Sequence, residues 1–245
     1  MGLTARSFDV LAAFTPDRPT LTLTELSRAT GLPLTTTHRI VGELLEWGAL
    51  ERRDDGGLQI GLRLWRVASL APRGLGLREQ ALPFMEDLFV ATGENVQLAV
   101  REGREAVFLE RLAGRRSVKV LTRVGDRFAL HATGVGLVLL AHAPAPLQDE
   151  VLASPLEAWT DWTITDPKAL RRVLAEVRRT GRAISDRQVT PDAVSVAAPV
   201  RGPSRGVVAA LSVVVRRGSV APEALVPAVV AAAHGISRTL GAEAD

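Results

Sequence analysis

The sequence predicts an α/β (α+β) chain in two parts: a small helix-turn-helix unit closed by a hairpin, then a larger domain on an antiparallel sheet. Three observations predict it. Residues 22–61, T-L-T-E-L-S-R-A-T-G-L-P-L-T-T-T-H-R-I-V-G-E-L-L-E-W-G-A-L-E-R-R-D-D-G-G-L-Q-I-G, read as helix, tight turn, helix and two short strands. The apolar pattern breaks at Ala71-Pro72-Arg73-Gly74-Leu75-Gly76. Beyond the break, strands come in groups rather than alternating one by one with helices, which is the pattern of an antiparallel sheet with helices on its faces.

An opening helix, Arg6 to Phe14, has Phe8, Leu11 and Phe14 as its inward positions and ends before Pro16. The next helix runs from Leu23 to Ala29. Thr22 and Glu25 form a capping-box pattern at its start, and Thr30-Gly31 ends it. Pro33 opens the following helix, where its missing N–H costs nothing. On a 3.6-residue wheel Leu34, Thr37, Ile40, Val41, Leu44, Leu45 and Trp47 share one side. The opposite side carries Thr35 and Arg39, flanked by Thr36 and His38. Short hydroxyls and a forked guanidinium suit phosphates and base edges of a major groove. Ala49–Arg53 and Leu58–Gly61 flank Asp54-Asp55-Gly56-Gly57, a hairpin signal that sets Arg52 and Arg53 beside the turn. Helix-turn-helix units also serve as protein-binding modules, so spacing alone leaves both partners open.

Gly61 to Leu70 is a helical run whose apolar residues, Leu62, Trp65, Val67 and Leu70, do not confine themselves to one stripe; this suits a connecting helix shared with a partner chain. The larger domain begins with a helix from Leu77 to Ala91. Strands follow at 95–101, 105–111 and 117–123, then a helix from His131 to His142, a short one at 147–152, and one from Asp166-Pro167 to Thr180. Three more strands (183–189, 194–200, 207–216) and a helix at 222–240 close the chain. The resulting division is 1–60, 61–76 and 77–245.

The 245 residues allow two domains, and zero Cys excludes disulfides and thiolate metal sites. Hydrophobic content is 47% without an apolar run long enough to span a bilayer, and the N-terminus lacks a signal-peptide core, so a cytoplasmic protein without membrane contact is expected. Net charge is only +3, and eight Arg are matched by eight Asp and Glu in the first seventy residues. DNA binding there must rest on the placement of a few side chains and on two copies of the unit.

The order T-E-L-S-R-A-T-G-L-P, T-T-T-H-R, then L-x-x-x-G-x-L resembles the winged helix-turn-helix of the IclR (isocitrate lyase regulator) family. Leu34 departs from it, standing where relatives often carry a polar residue. The resemblance continues through T-G-E-N-V-Q-L-A-V, R-V-G-D-R-F-A-L-H-A-T-G-V-G, T-I-T-D-P and V-A-A-P-V-R-G-P-S-R-G-V-V-A-A-L-S-V, and so covers essentially the whole chain. It implies a GAF-like effector domain that binds a small molecule and assembles dimers or tetramers. It also implies a ligand-responsive transcription regulator, more often a repressor, on a double-stranded palindromic operator.

Carried over by motif, the implied effector pocket comprises Gly134, Val135, Ser185, Ser195, Ser212 and Val214. Relatives often have Asp at the Ser185 position, Gly-Lys where this chain has Gly136-Leu137, and a second Ser at Val214. These changes remove charge and tilt the pocket toward an organic effector with apolar bulk, such as an aromatic acid or a medium acyl compound. Ser195 and Ser212 serve equally well as sheet residues satisfying local backbone groups. Two other readings remain: a small-molecule sensor whose helix-turn-helix binds a protein, and an enzyme on a GAF-like scaffold. No catalytic motif, cofactor or metal is expected. His38, His131, His142 and His234 are scattered, and His131 and His142 with Asp126 make a poor ligand set.

Overall fold

A computed structural model describes residues 2–15, 17–70, 76–115 and 117–242. Pro16 and most of the break at 71–76 lie outside the described residues. The chain divides into two compact units, Met1–Leu75 and Gly76–Asp245.

The first unit has helices α1 (Leu3–Ala12), α2 (Leu23–Thr30) and α3 (Leu34–Trp47), a hairpin of β1 (Leu50–Arg52) and β2 (Leu58–Ile60), and helix α4 (Leu62–Ala68). The capping box at α2 is complete: the Thr22 hydroxyl accepts from the Glu25 backbone N–H, and the Glu25 carboxylate accepts from that of Thr22. Gly31 ends the helix at φ 66°, a conformation that suits glycine. Val10, Leu21, Leu26, Ile40, Val41, Leu50 and Leu58 form the core. Leu21 adds a bridge to Leu58 beside the hairpin, with backbone bonds of 2.9 and 3.0 Å.

Three expectations of facing are corrected here. Phe8 is 65% exposed, because Val10 rather than Phe8 is the α1 side chain turned to the core, and the two stand about 200° apart on a helix. Leu34 and Trp47 are exposed at the two ends of α3, where the wheel continues but the neighbouring helices do not. Trp47 instead stacks under the Arg63 guanidinium at 4.7 Å, and Arg63 donates to the Trp47 carbonyl, tying the start of α4 to the end of α3.

The second unit carries α5 (Leu77–Thr92), β3 (Asn95–Glu102), β4 (Glu105–Leu112), β5 (Arg127–Ala129), α6 (Gly134–Ala141), α7 (Ala145–Ala153), α8 (Pro167–Thr180), β6 (Ala183–Asp186), β7 (Ala193–Arg201), β8 (Val207–Arg216) and α9 (Pro222–Thr239). The strands form one antiparallel sheet in the order β5-β4-β3-β8-β7-β6. Alternation along the strands sends Val96, Leu98, Val196, Ala198, Leu211 and Val213 to the face covered by α5 and α9. Their neighbours Ala99, Ala197 and Ala210 face α6 and α8. The α5–α9 approach needs a glycine, since a β-carbon on Gly235 would sit 2.4 Å from the Phe84 ring. Asp166 caps α8 through the N–H groups of Lys168 and Ala169, the role its Asp-Pro pair predicts.

The strand expected at 117–123 does not form. That segment is held by side chains instead of a ladder: Asn95 Nδ2 donates to the Val118 carbonyl at 2.8 Å, and Arg111 donates to the Thr122 carbonyl. The edge position goes to β5, which pairs with β4. The helix expected from His131 begins only at Gly134, where the Thr133 side chain accepts from the Gly136 N–H. β6 stops at Asp186 because Arg187 turns to φ 57°, a left-handed backbone that no strand accommodates.

Replacing Thr22 with Ala removes the cap on α2 and is expected to cost about 1 kcal/mol of stability in denaturant titration of the full chain. The Thr22 backbone and side-chain hydrogen bonds hold the Glu25 carboxyl below its ordinary value. The Glu25 contribution is therefore present above the ordinary carboxylate range and lost as pH falls through the lowered value.

Candidate functional site

On the first unit, Thr35, His38 and Arg39 are exposed along one side of α3, with Thr36 half-buried beside them, while Thr37, Ile40 and Val41 are buried on the other. Arg39 pairs with Glu43 one turn on at 2.8 Å, an exposed contact that a competing phosphate can displace at small cost. In the hairpin, Arg52 donates to the Gly56 carbonyl and Arg53 lies 3.4 Å from the Asp55 carboxylate, so both wing arginines rest on their own turn.

In the second unit a cavity opens at one end of the sheet, on the α6 face, and all six carried-over residues line it: Gly134, Val135, Ser185, Ser195, Ser212 and Val214. Strand register explains the convergence. Ser185 faces Ser195, which faces Val214; in the next row Ala197 faces Ser212, which faces Gln97. The cavity holds ≈ 430 Å³ of empty space, open solvent at its mouth included.

The start of α6 forms one wall. Gly134 is required there, because a β-carbon would fall 2.7 Å from the Ser195 hydroxyl. Thr133 serves the Gly136 N–H, while the N–H groups of Gly134 and Val135 belong to the first turn, which has no acceptor within its own helix. A helix N-terminus of this kind attracts anions. The Ser212 residue is 1% exposed and its Oγ has no hydrogen-bond partner in the cavity wall, so it does not serve the local backbone.

Sequence reasoning missed the rest of the lining. Gln97, Phe108, Val120 and Thr122 enter from β3, β4 and the irregular segment that replaces the expected strand. Gln97 Nε2 donates to Thr122 Oγ1 at 2.5 Å. Behind them Arg111 donates to the Asn95 amide oxygen; burial, with Arg123 nearby, holds its pKa below the usual guanidinium value. Gln188, Val189 and Thr190 form the opposite wall, after the turn at Arg187. Thr163, within T-I-T-D-P, pins this wall by donating to the Gln188 carbonyl at 2.6 Å, and Thr160 does the same to the Arg187 carbonyl. The Arg187 guanidinium stacks 4.2 Å over Trp162. The T-I-T-D-P motif, visible in sequence, gave the signal; its partner in space did not show. Among the described residues no charged side chain lines the cavity.

The remaining histidines form no metal site. Among the described residues no group of three His, Cys, Asp or Glu could hold an ion. His131 Nε2 lies 2.9 Å from the Glu157 carbonyl, and His142 ends α6 with its Nε2 buried and unpartnered. No described helix is long and apolar enough to cross a membrane.

The comparisons with known proteins agree with this geometry. The model for the IclR helix-turn-helix domain matches residues 4–54, and that for the C-terminal domain of bacterial IclR regulators matches residues 71–238. The chain belongs to the IclR family. It is accordingly a ligand-responsive DNA-binding regulator and not an enzyme. It is 32% identical to the HTH-type transcriptional regulator KipR of Bacillus subtilis over 197 residues, 80% of this chain and 79% of that one. It is 30% identical to the glycerol operon regulatory protein of Streptomyces coelicolor over 229 residues, 91% and 89% of the two chains. Among solved structures, an IclR homologue of Microbacterium hydrocarbonoxydans complexed with 4-hydroxybenzoate superposes with a TM-score of 0.93 at 40% identity, covering 98% of this chain and 99% of that one.

Burial, then Arg201 and Arg178, hold the His142 imidazole below the ordinary histidine value of 6.5. Its contribution to stability is therefore present above 6.5 and lost as pH falls through the lowered value, because unfolding lets it charge. A His142→Gln variant is expected to show a flatter melting temperature across about pH 5–8 than the parent, measured by thermal denaturation.

Proposed function

We propose that this IclR-family chain is a repressor of a metabolic operon that grips a palindromic operator with paired helix-turn-helix heads and releases it when an organic acid fills the cavity. In this reading residues 1–60 contact DNA, 61–76 connect, and 77–245 hold the effector and the oligomer. The observation that carries the DNA contact is the division of α3. Ile40 and Val41 are sealed in the core, while Thr35, His38 and Arg39 stand in solvent with Thr36 beside them. Arg52 and Arg53 extend that contact to a neighbouring phosphate strand.

Leu62, Trp65, Val67 and Leu70 are all more than half exposed, an apolar surface that supports pairing into a dimer or tetramer. Two heads supply what a charge-balanced unit lacks, since each adds its few contacts to the other. For the effector, Gly134, Val135, Ser185, Ser195, Ser212 and Val214 offer donors, with no cation among the described lining residues, and apolar walls beside them. A carboxylate at the start of α6, with an apolar body beyond it, matches that lining. The 4-hydroxybenzoate complex of the Microbacterium homologue supports an aromatic acid. Occupancy would alter the paired heads through the oligomer, coupling the two sites.

The test is recovery of genomic fragments by the purified full-length protein, scored for a palindrome. Arg39→Ala is expected to weaken operator binding about 10- to 100-fold with fold and oligomer intact. Loss of any enriched motif in the folded parent protein would move the reading to a protein partner for the helix-turn-helix. Glu43→Gln, which frees Arg39, is expected to tighten operator binding by a small factor in the same assay.

A further inference from the structure

The cavity has two polar ends of different chemistry. One is the start of α6 with Ser195, where the N–H groups of Gly134 and Val135 can only donate. The other lies two strands away, on β3 and the adjoining part of β8. There Gln97 spends an amide N–H on Thr122, which leaves its Oε1 as an acceptor, and the Ser212 hydroxyl next to it on the paired strand is buried without a partner. Gln97 is 3% exposed, Ser212 1% and Thr122 6%, so whatever meets these groups comes from inside the cavity.

Resting on the effector-site reading above, we propose that Gln97 and Ser212, with Thr122 behind them, read a hydroxyl at the end of the effector remote from its carboxylate. The ligand class is then a hydroxylated aromatic monocarboxylate rather than any small organic acid.

Each feature of the second end selects for this group. A hydroxyl donates one hydrogen bond and accepts others, which answers the Gln97 Oε1 and the Ser212 hydroxyl together. A second carboxylate would meet the Gln97 oxygen with its own, with no cation among the described lining residues to offset it. An unsubstituted ring would bury the Ser212 hydroxyl and the Gln97 oxygen dry, the arrangement by which a site built to bond a hydroxyl rejects the analogue lacking it. Spacing agrees as well. β8 separates β7 from β3, which puts the backbones bearing Ser195 and Gln97 about 10 Å apart across the sheet. A single ring with a polar atom at each end, together with a hydrogen bond of about 2.8 Å at either side, spans a gap of that order. Phe108 and Val135 supply apolar surface to the same space.

Isothermal titration of the full-length protein with 4-hydroxybenzoate and with benzoate tests the assignment. The parent is expected to bind the hydroxylated acid at least about tenfold more tightly. Gln97→Leu is expected to abolish that preference, because 4-hydroxybenzoate loses its acceptor and benzoate no longer buries the Gln97 oxygen dry. Ser212→Ala removes a hydroxyl that holds no bond in the protein, so it leaves the fold intact, and it is expected to narrow the same ratio. Val135→Trp, which fills the cavity beside the α6 start, is expected to abolish binding of both acids. An unchanged ratio in both Gln97→Leu and Ser212→Ala overturns the second end and leaves the site standing. Binding that survives Val135→Trp overturns the site itself. Failure of the parent to bind either acid overturns the ligand class while leaving operator recognition untouched.

Discussion

The start of α6 lies against β7 so closely that a β-carbon on Gly134 would fall 2.7 Å from the Ser195 hydroxyl, and that approach decides what the cavity is made of. It puts a helix N-terminus, whose first N–H groups have no acceptor within the helix, over the end of the sheet where the inward rows carry Ser, Gln and Asn instead of Ala. Further along, Ala99, Ala197 and Ala210 let α6 settle onto the sheet and seal it. The same helix thus closes the core with its body and leaves a partly polar chamber at its tip. Small residues at one end and polar ones at the other produce both results.

The opposite face has no such interruption. Val96, Leu98, Val196, Ala198, Leu211 and Val213 meet α5 and α9 in a continuous apolar layer, and Gly235 admits Phe84 at van der Waals range. A ligand-binding unit gains from this asymmetry. The sealed layer fixes the strand register that lines up Ser185, Ser195 and Val214, while the walls at 118–122 and 187–190 hang on hydrogen bonds from side chains and can adjust. Among the described residues the lining is neutral, so an anion placed there would draw its stabilisation from oriented dipoles and hydroxyls.

The DNA-facing unit works under a different constraint. With acidic and basic side chains equal in number over its first seventy residues, it has no field to concentrate polyanions, and Arg39, Arg52 and Arg53 each rest on a local acceptor. These contacts are exposed and weak, so they hold the arginines in place without withdrawing them from a phosphate.

Local chemistry was legible along the chain. The Thr22–Glu25 box, the glycines ending α2 and α8, the Asp166 cap and the Asp-Gly turn follow from residues within a few positions of one another, and the sequence determined them without help from the fold. The two-part division and the α+β class were legible for the same reason, since periodicity records which face of an element is buried. Which element does the burying was not. Phe8 and Val10 both suit an inward position, and only the packing of α1 against its neighbours chose Val10. The segment 117–123 has strand-like residues, yet Asn95 and Arg111 claim its carbonyls across the fold, leaving the edge to β5. Gln97 stands within the T-G-E-N-V-Q-L-A-V stretch, yet nothing in that stretch marked a place in the cavity, because its pairing with Thr122 joins a strand and a loop 25 positions apart. Sequence fixes what each segment can do alone, and tertiary structure decides which distant groups compete for the same surface and the same hydrogen bonds.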